Sequence, residues 1–126
     1  MMLENILFVG TGSFFGGIAR FLASKYIQNR MLSGFPFGTL AVNIAGCLLI
    51  GFLYGLAERT NILTPGLRTF LTVGFCGGFT TFSTFANESS SLLKDGNILY
   101  FALYVSGSVF LGILATYLGN MITRLV

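Results

Sequence analysis

Apolar positions in this chain neither alternate nor form narrow stripes; they run on. Residues 5–19, 31–57, 69–87 and 96–123 carry no charged side chain, giving uncharged runs of 15, 27, 19 and 28 residues. An α-helix crosses a bilayer with about 20 mostly apolar residues. The last three runs therefore predict spanning helices outright, and the first does so once Arg20 is allowed inside the helix or near an interface. Turn chemistry marks the ends. Ser33-Gly34-Phe35-Pro36 separates the first two helices, Pro65 suits a first helical turn, and Lys94-Asp95-Gly96-Asn97 is a short-turn signal. The pattern predicts an all-α membrane protein with helices over about 5–27, 37–57, 65–93 and 97–122, forming a single four-helix transmembrane domain over residues 1–126. Such short connections allow only a compact bundle with antiparallel neighbours.

Composition sharpens this reading. The 126 residues are 54% apolar and 9% charged, with a mean hydropathy of +0.83. Soluble domains are roughly a quarter charged, so no water-facing surface can be assembled here. Histidine is absent and the two cysteines, Cys47 and Cys76, lie inside apolar runs, which excludes zinc. Gly10, Gly12 and Gly16 miss dinucleotide-binding spacing, and no glycine cluster leads into a phosphate-binding lysine. The net charge of +3 is too small and scattered for a nucleic-acid surface. No carboxylate pair or triad is available, so the chain is not expected to be an enzyme. With Glu4 as its only charge, the N-terminal segment reads as a retained helix rather than a signal peptide.

Charge placement predicts topology. With four helices, Arg59, Arg68 and Arg124 fall on one side, and Lys25, Arg30 and Lys94 on the other. Equal counts remove the positive-inside bias that orients most membrane proteins. The expectation is a homodimer whose subunits insert in opposite orientations. Glycines at four-residue spacing, Gly12/Gly16, Gly51/Gly55 and Gly74/Gly78, suit close helix packing in lipid.

Polar side chains at membrane depth are costly, so their placement points to function. In the third helix, Gly77-Gly78-Phe79-Thr80-Thr81-Phe82-Ser83-Thr84-Phe85 combines paired glycines with four hydroxyls in five positions. A helix break near Gly77-Gly78 would free backbone carbonyls that suit a hard cation. Phe82 and Phe85 share one face, with Thr81, Thr84 and Glu88 beside them. Thr39 and Asn43 align in the second helix, and Tyr104, Ser108 and Gly112 in the fourth. A cation path normally carries acidic groups at mid-membrane, and none is present. Amide and hydroxyl donors suit a small anion, as do ring edges, the positive pole of the aromatic quadrupole.

These residues carry a resemblance. The motif from Gly77 to Phe85, with Gly16-Gly17-Ile18-Ala19-Arg20 and Gly38-Thr39-Leu40-Ala41-Val42-Asn43-Ile44-Ala45-Gly46, is similar along essentially the whole chain to the Fluc (CrcB) fluoride channels. The resemblance implies a bacterial inner-membrane channel that passively exports cytoplasmic fluoride. It implies an antiparallel, dual-topology homodimer with two pores and a central structural Na+ on the backbone carbonyls of Gly77 and Thr80. Phe82 and Phe85 would be the pore rings and Asn43 an ion donor. Ser83, Thr84, Tyr104 and Ser108 would form a hydroxyl track, with Arg20 and Glu88 at the vestibule. Gly112 offers no hydroxyl where some relatives carry one. The alternative is a small dual-topology multidrug or guanidinium exporter. That class needs a membrane-centred glutamate in the first helix, where this chain has only Glu4 at the very start.

Overall fold

The computed structural model describes residues 1–125; Val126 lies outside the described residues. All regular structure among them is helical: α1 (Met2–Arg30), α2 (Phe37–Arg59), α3 (Pro65–Thr69), a π-helical stretch (Phe70–Cys76), α4 (Gly77–Phe79), α5 (Phe82–Lys94), α6 (Ile98–Ile122) and a 3-10 turn (Thr123–Leu125). α1 exceeds the span read from the pattern, 5–27, by three residues at each end, and α2 runs two residues past 57. The starts follow local chemistry. Thr64 caps α3, accepting from the Leu67 N–H at 3.2 Å ahead of Pro65. Asn97 caps α6 through the Tyr100 N–H at 3.2 Å. Gly96 ends the preceding helix at φ +75, where its N–H bonds the Leu93 carbonyl at 3.0 Å and the Asn97 N–H the Leu92 carbonyl at 2.9 Å.

α1, α2 and the final helix are long and apolar enough to cross a membrane. The third column, predicted as 65–93, is instead assembled from consecutive pieces. Thr80 and Thr81 take extended backbone, with φ, ψ of −97, 159 and −150, 121. The interruption thus lies two residues beyond the paired glycines. Gly77 itself is ordinary right-handed helix (φ −61, ψ −37), so glycine's backbone freedom is not what ends it. What ends it is a set of alternative partners for Thr81 and Gly78, described below. The seven-residue π segment before it has no counterpart in the hydropathy pattern.

The buried apolar core is thin: Val42, Leu53, Cys76, Leu92, Tyr104 and Ala115. Large side chains such as Phe14, Phe15, Phe21, Leu103, Phe110 and Ile113 face outward. Lipid is as apolar as leucine, so close backbone packing rather than hydrophobic burial must join these helices. A Cβ on Gly12 would lie 2.8 Å from the Gly74 Cα, and one on Gly78 would lie 2.8 Å from the Ser13 carbonyl oxygen. Across α2 and α6, a Cβ on Gly51 would meet the Thr116 carbonyl, 2.8 Å from its carbon. Gly119 answers from α6, where a Cβ would lie 2.9 Å from the Phe52 nitrogen. Gly77 differs: it is exposed, and a Cβ there would meet nothing within 4 Å.

Candidate functional site: an aromatic and hydroxyl cavity at the helix interruption

The interruption is held open by side chains from two other helices. In a continuous helix the Thr81 N–H would bond the Gly77 carbonyl. Here it donates to Asn43 Oδ1 at 2.8 Å, while Asn43 Nδ2 donates to the Thr81 carbonyl at 3.1 Å. The Thr84 N–H, which would otherwise reach the Thr80 carbonyl, donates to Thr81 Oγ1 at 3.2 Å, making Thr81 the N-cap of α5. The Gly78 carbonyl accepts from Arg20 Nε at 3.0 Å. Arg20 therefore braces the end of α4. The carbonyls of Gly77 and Thr80 have lost their regular helical donors.

Beside the interruption lies a cavity of about 410 Å³, whose lining includes Asn43, Thr80, Thr81, Phe82, Phe85 and Ser108. Gly77, Cys47, Cys76 and Gly112 also border it. The Phe82 and Phe85 rings stand 5.7 Å apart between centroids, tilted by 48°. Phe82 is 79% exposed, whereas Phe85 is half-buried against Tyr104, centroid to centroid 5.1 Å. The Ser108 hydroxyl is buried without a hydrogen-bond partner. A buried polar group normally has one, and leaving it unpaired costs about 1–3 kcal/mol.

The other expected residues separate into two clusters. Thr81 Oγ1 donates to Thr84 Oγ1 at 3.1 Å and lies 3.4 Å from Ser83 Oγ, so Ser83 and Thr84 gather around the helix cap rather than beside Ser108. Tyr104, wholly buried, donates its hydroxyl proton to Glu88 Oε1 at 2.9 Å. Asn43 and Tyr104 thus already use donors that the sequence leaves free. The sequence marks Thr81 as part of a polar stripe but not as the peptide that Asn43 holds. Its local signal is a hydroxyl at a helix start, a residue type that caps N-termini.

Known proteins match this sequence over nearly its whole length. The family model described as CrcB-like protein, Camphor Resistance (CrcB), matches residues 7–120. A "Fluoride-specific ion channel FluC" of Chlorobium phaeobacteroides (strain BS1) is 50% identical over 120 residues, covering 95% of this chain and 93% of that protein. Proteins of the same name from Bacteroides fragilis (strain YCH46) and Flavobacterium psychrophilum are 50% identical over 121 residues and 43% identical over 122. They are covered over 94% and 98% of their lengths, and this chain over 94% and 97%. With its long apolar helices, this is a multi-pass membrane protein, and the relatives bear the name of an ion channel rather than of an enzyme. By the extent and identity of these matches, the chain belongs to the CrcB-like protein family.

Proposed function

We propose that this chain is a fluoride-selective passive channel whose anion path runs through the cavity between Phe82, Phe85 and Ser108. The observation that carries the reading is the Ser108 hydroxyl: a buried donor with no partner, bordering a cavity flanked by two phenylalanine rings. A small, strongly hydrated anion could exchange water for that hydroxyl and for the positive ring edges. Among the described residues no acidic side chain borders the cavity, and Arg20 is held on the Gly78 carbonyl outside its lining. Relatives at up to 50% identity bear the name of a fluoride-specific channel, which supports the same cargo. The exporter alternative would need a membrane-centred glutamate in α1, whose one glutamate, Glu4, lies in its first turn.

The working unit in this reading is an antiparallel, dual-topology homodimer with two pores in the bacterial inner membrane. Phe82 is 79% exposed in the single chain, and Gly77 is exposed beside it, so a second subunit would give both a protein neighbour. A Na+ shared between the subunits fits the donors present: the Gly77 and Thr80 carbonyls have lost their helical N–H partners, and hard cations prefer such oxygens. Bound there, the ion would supply fixed positive charge and hold the two interruptions together.

The test is fluoride release from liposomes holding the purified protein, read by an ion-selective electrode. Rapid fluoride release with little chloride release is expected. Phe82→Ile and Phe85→Ile should each cut flux at least tenfold while leaving folded protein nearly unchanged, and Ser108→Ala should also reduce it. Equal chloride passage, or full flux in all three variants, would overturn the assignment.

A further inference from the structure

The loop between α1 and α2 is tied at its far end by one side chain. Gln28 Nε2 donates to the Phe35 carbonyl at 3.0 Å, and Gln28 Oε1 accepts from the Gly38 N–H at 2.9 Å. One amide thus joins the last turn of α1 to the loop and to the first turn of α2. Gly38 makes the reach possible: a Cβ there would collide with the Ser24 carbonyl and lie 3.3 Å from the Gln28 Cβ. Inside the loop the Phe35 N–H donates to Ser33 Oγ at 3.2 Å, and the Phe37 N–H to the Phe35 carbonyl at 2.9 Å. The Phe35 backbone is therefore fixed on both sides.

Its side chain begins a series of rings that ends in the cavity. Phe35 meets Tyr104 edge-on, with centroids 5.6 Å apart and planes at 82°, and meets Tyr100 at 5.3 Å and 80°. Tyr104 is 0% exposed. It packs on Phe85 at 5.1 Å, and Phe85 packs on Phe82 at 5.7 Å. Edge-to-face contacts are directional, so a displaced Phe35 removes a specific wall from behind Tyr104. Phe85 then gains room to turn, because Tyr104 is the ring that backs it.

We propose that Gln28 and Phe35 are positioning residues for the anion path: the Gln28 amide fixes Phe35, and Phe35 fixes Phe85 through Tyr104. Neither residue borders the cavity. The inference rests on the reading of the Phe82–Phe85 cavity as that path. It assigns a conduction role to a loop that its turn-forming residues, Ser33, Gly34 and Pro36, would otherwise mark as a plain connection.

The experiment compares Gln28→Met, which keeps the length but loses both arms of the amide, with Phe35→Leu and Phe35→Tyr. Fluoride flux from liposomes is measured alongside the ¹⁹F spectrum of protein carrying 4-fluorophenylalanine at position 85 alone. Gln28→Met and Phe35→Leu should lose about tenfold or more of the parent flux per folded protein, and both should shift or broaden the position-85 resonance. Phe35→Tyr, which keeps a ring, should recover most of what Phe35→Leu loses and return the resonance toward the parent's. Parent-like flux in Gln28→Met and Phe35→Leu would overturn the proposal. So would losses that track the amount of folded protein while the resonance stays in place. A parent that passes no fluoride would refute the channel reading, and the resonance alone would then decide whether Gln28 and Phe35 position Phe85.

Discussion

Asn43 is the side chain on which the interruption depends most directly. Replacing it with leucine keeps nearly the same volume and removes both hydrogen bonds to the Thr81 peptide, at 3.1 and 2.8 Å. Each half-buried backbone group left unpaired costs about 1–3 kcal/mol, so the loss is about 2–6 kcal/mol if nothing moves. That is a large share of a typical folding free energy of about 5–15 kcal/mol. The chain has an escape, however. The Thr81 N–H can swing back to the Gly77 carbonyl, its regular helical partner, and regain part of that energy. Doing so would occupy the carbonyl proposed above for a cation and would turn Phe82 and Phe85 about the helix axis, by about 100° for each residue that shifts register. Asn43→Leu should therefore lose flux by at least tenfold while melting only moderately below the parent in detergent. Asn43→Asp, which still accepts from the Thr81 N–H but sets an oxygen against the Thr81 carbonyl, should fall in the same direction. Liposome efflux and thermal unfolding of the same preparations read both effects. Parent-like melting and flux in Asn43→Leu would refute the bracing role. Parent-like melting with lost flux would instead place Asn43 on the ion and not on Thr81.

Three further outcomes follow from the packing and the charges. Gly51→Leu must push α2 and α6 apart, because even a Cβ there meets the Thr116 backbone; a loss of about 1–3 kcal/mol or more in unfolding free energy is expected, against none for a parent-like melt. Gly77→Ala should fold at least as stably as the parent, since Gly77 is already helical and its Cβ position is open, and alanine favours helix by up to about 1 kcal/mol; a clear drop in the melting temperature of the single chain would contradict the observed backbone. Reporter fusions at the C-terminus should show both orientations in comparable amounts, and one extra Lys beside Arg59 should skew them and reduce flux; a single orientation in the parent would exclude dual topology.

The presence of long membrane helices was legible from the sequence because it depends on a one-dimensional property. Length without charge and turn residues at the boundaries suffice, and they placed α2 and α6 to within two residues. The glycine spacings announced close packing for the same reason: in lipid only small residues let backbones meet, whichever helix comes opposite. The partner of a polar group is a different kind of fact. Asn43 finds Thr81 across 38 positions, and Arg20 finds Gly78 across 58. Those two pairings, not the glycines, put the interruption at Thr80–Thr81. Likewise the sequence counted Asn43, Tyr104 and Ser108 as equal donors. The tertiary structure leaves Ser108 free and commits the other two, because a hydrogen bond satisfies whichever partner the packed helices bring within about 3 Å.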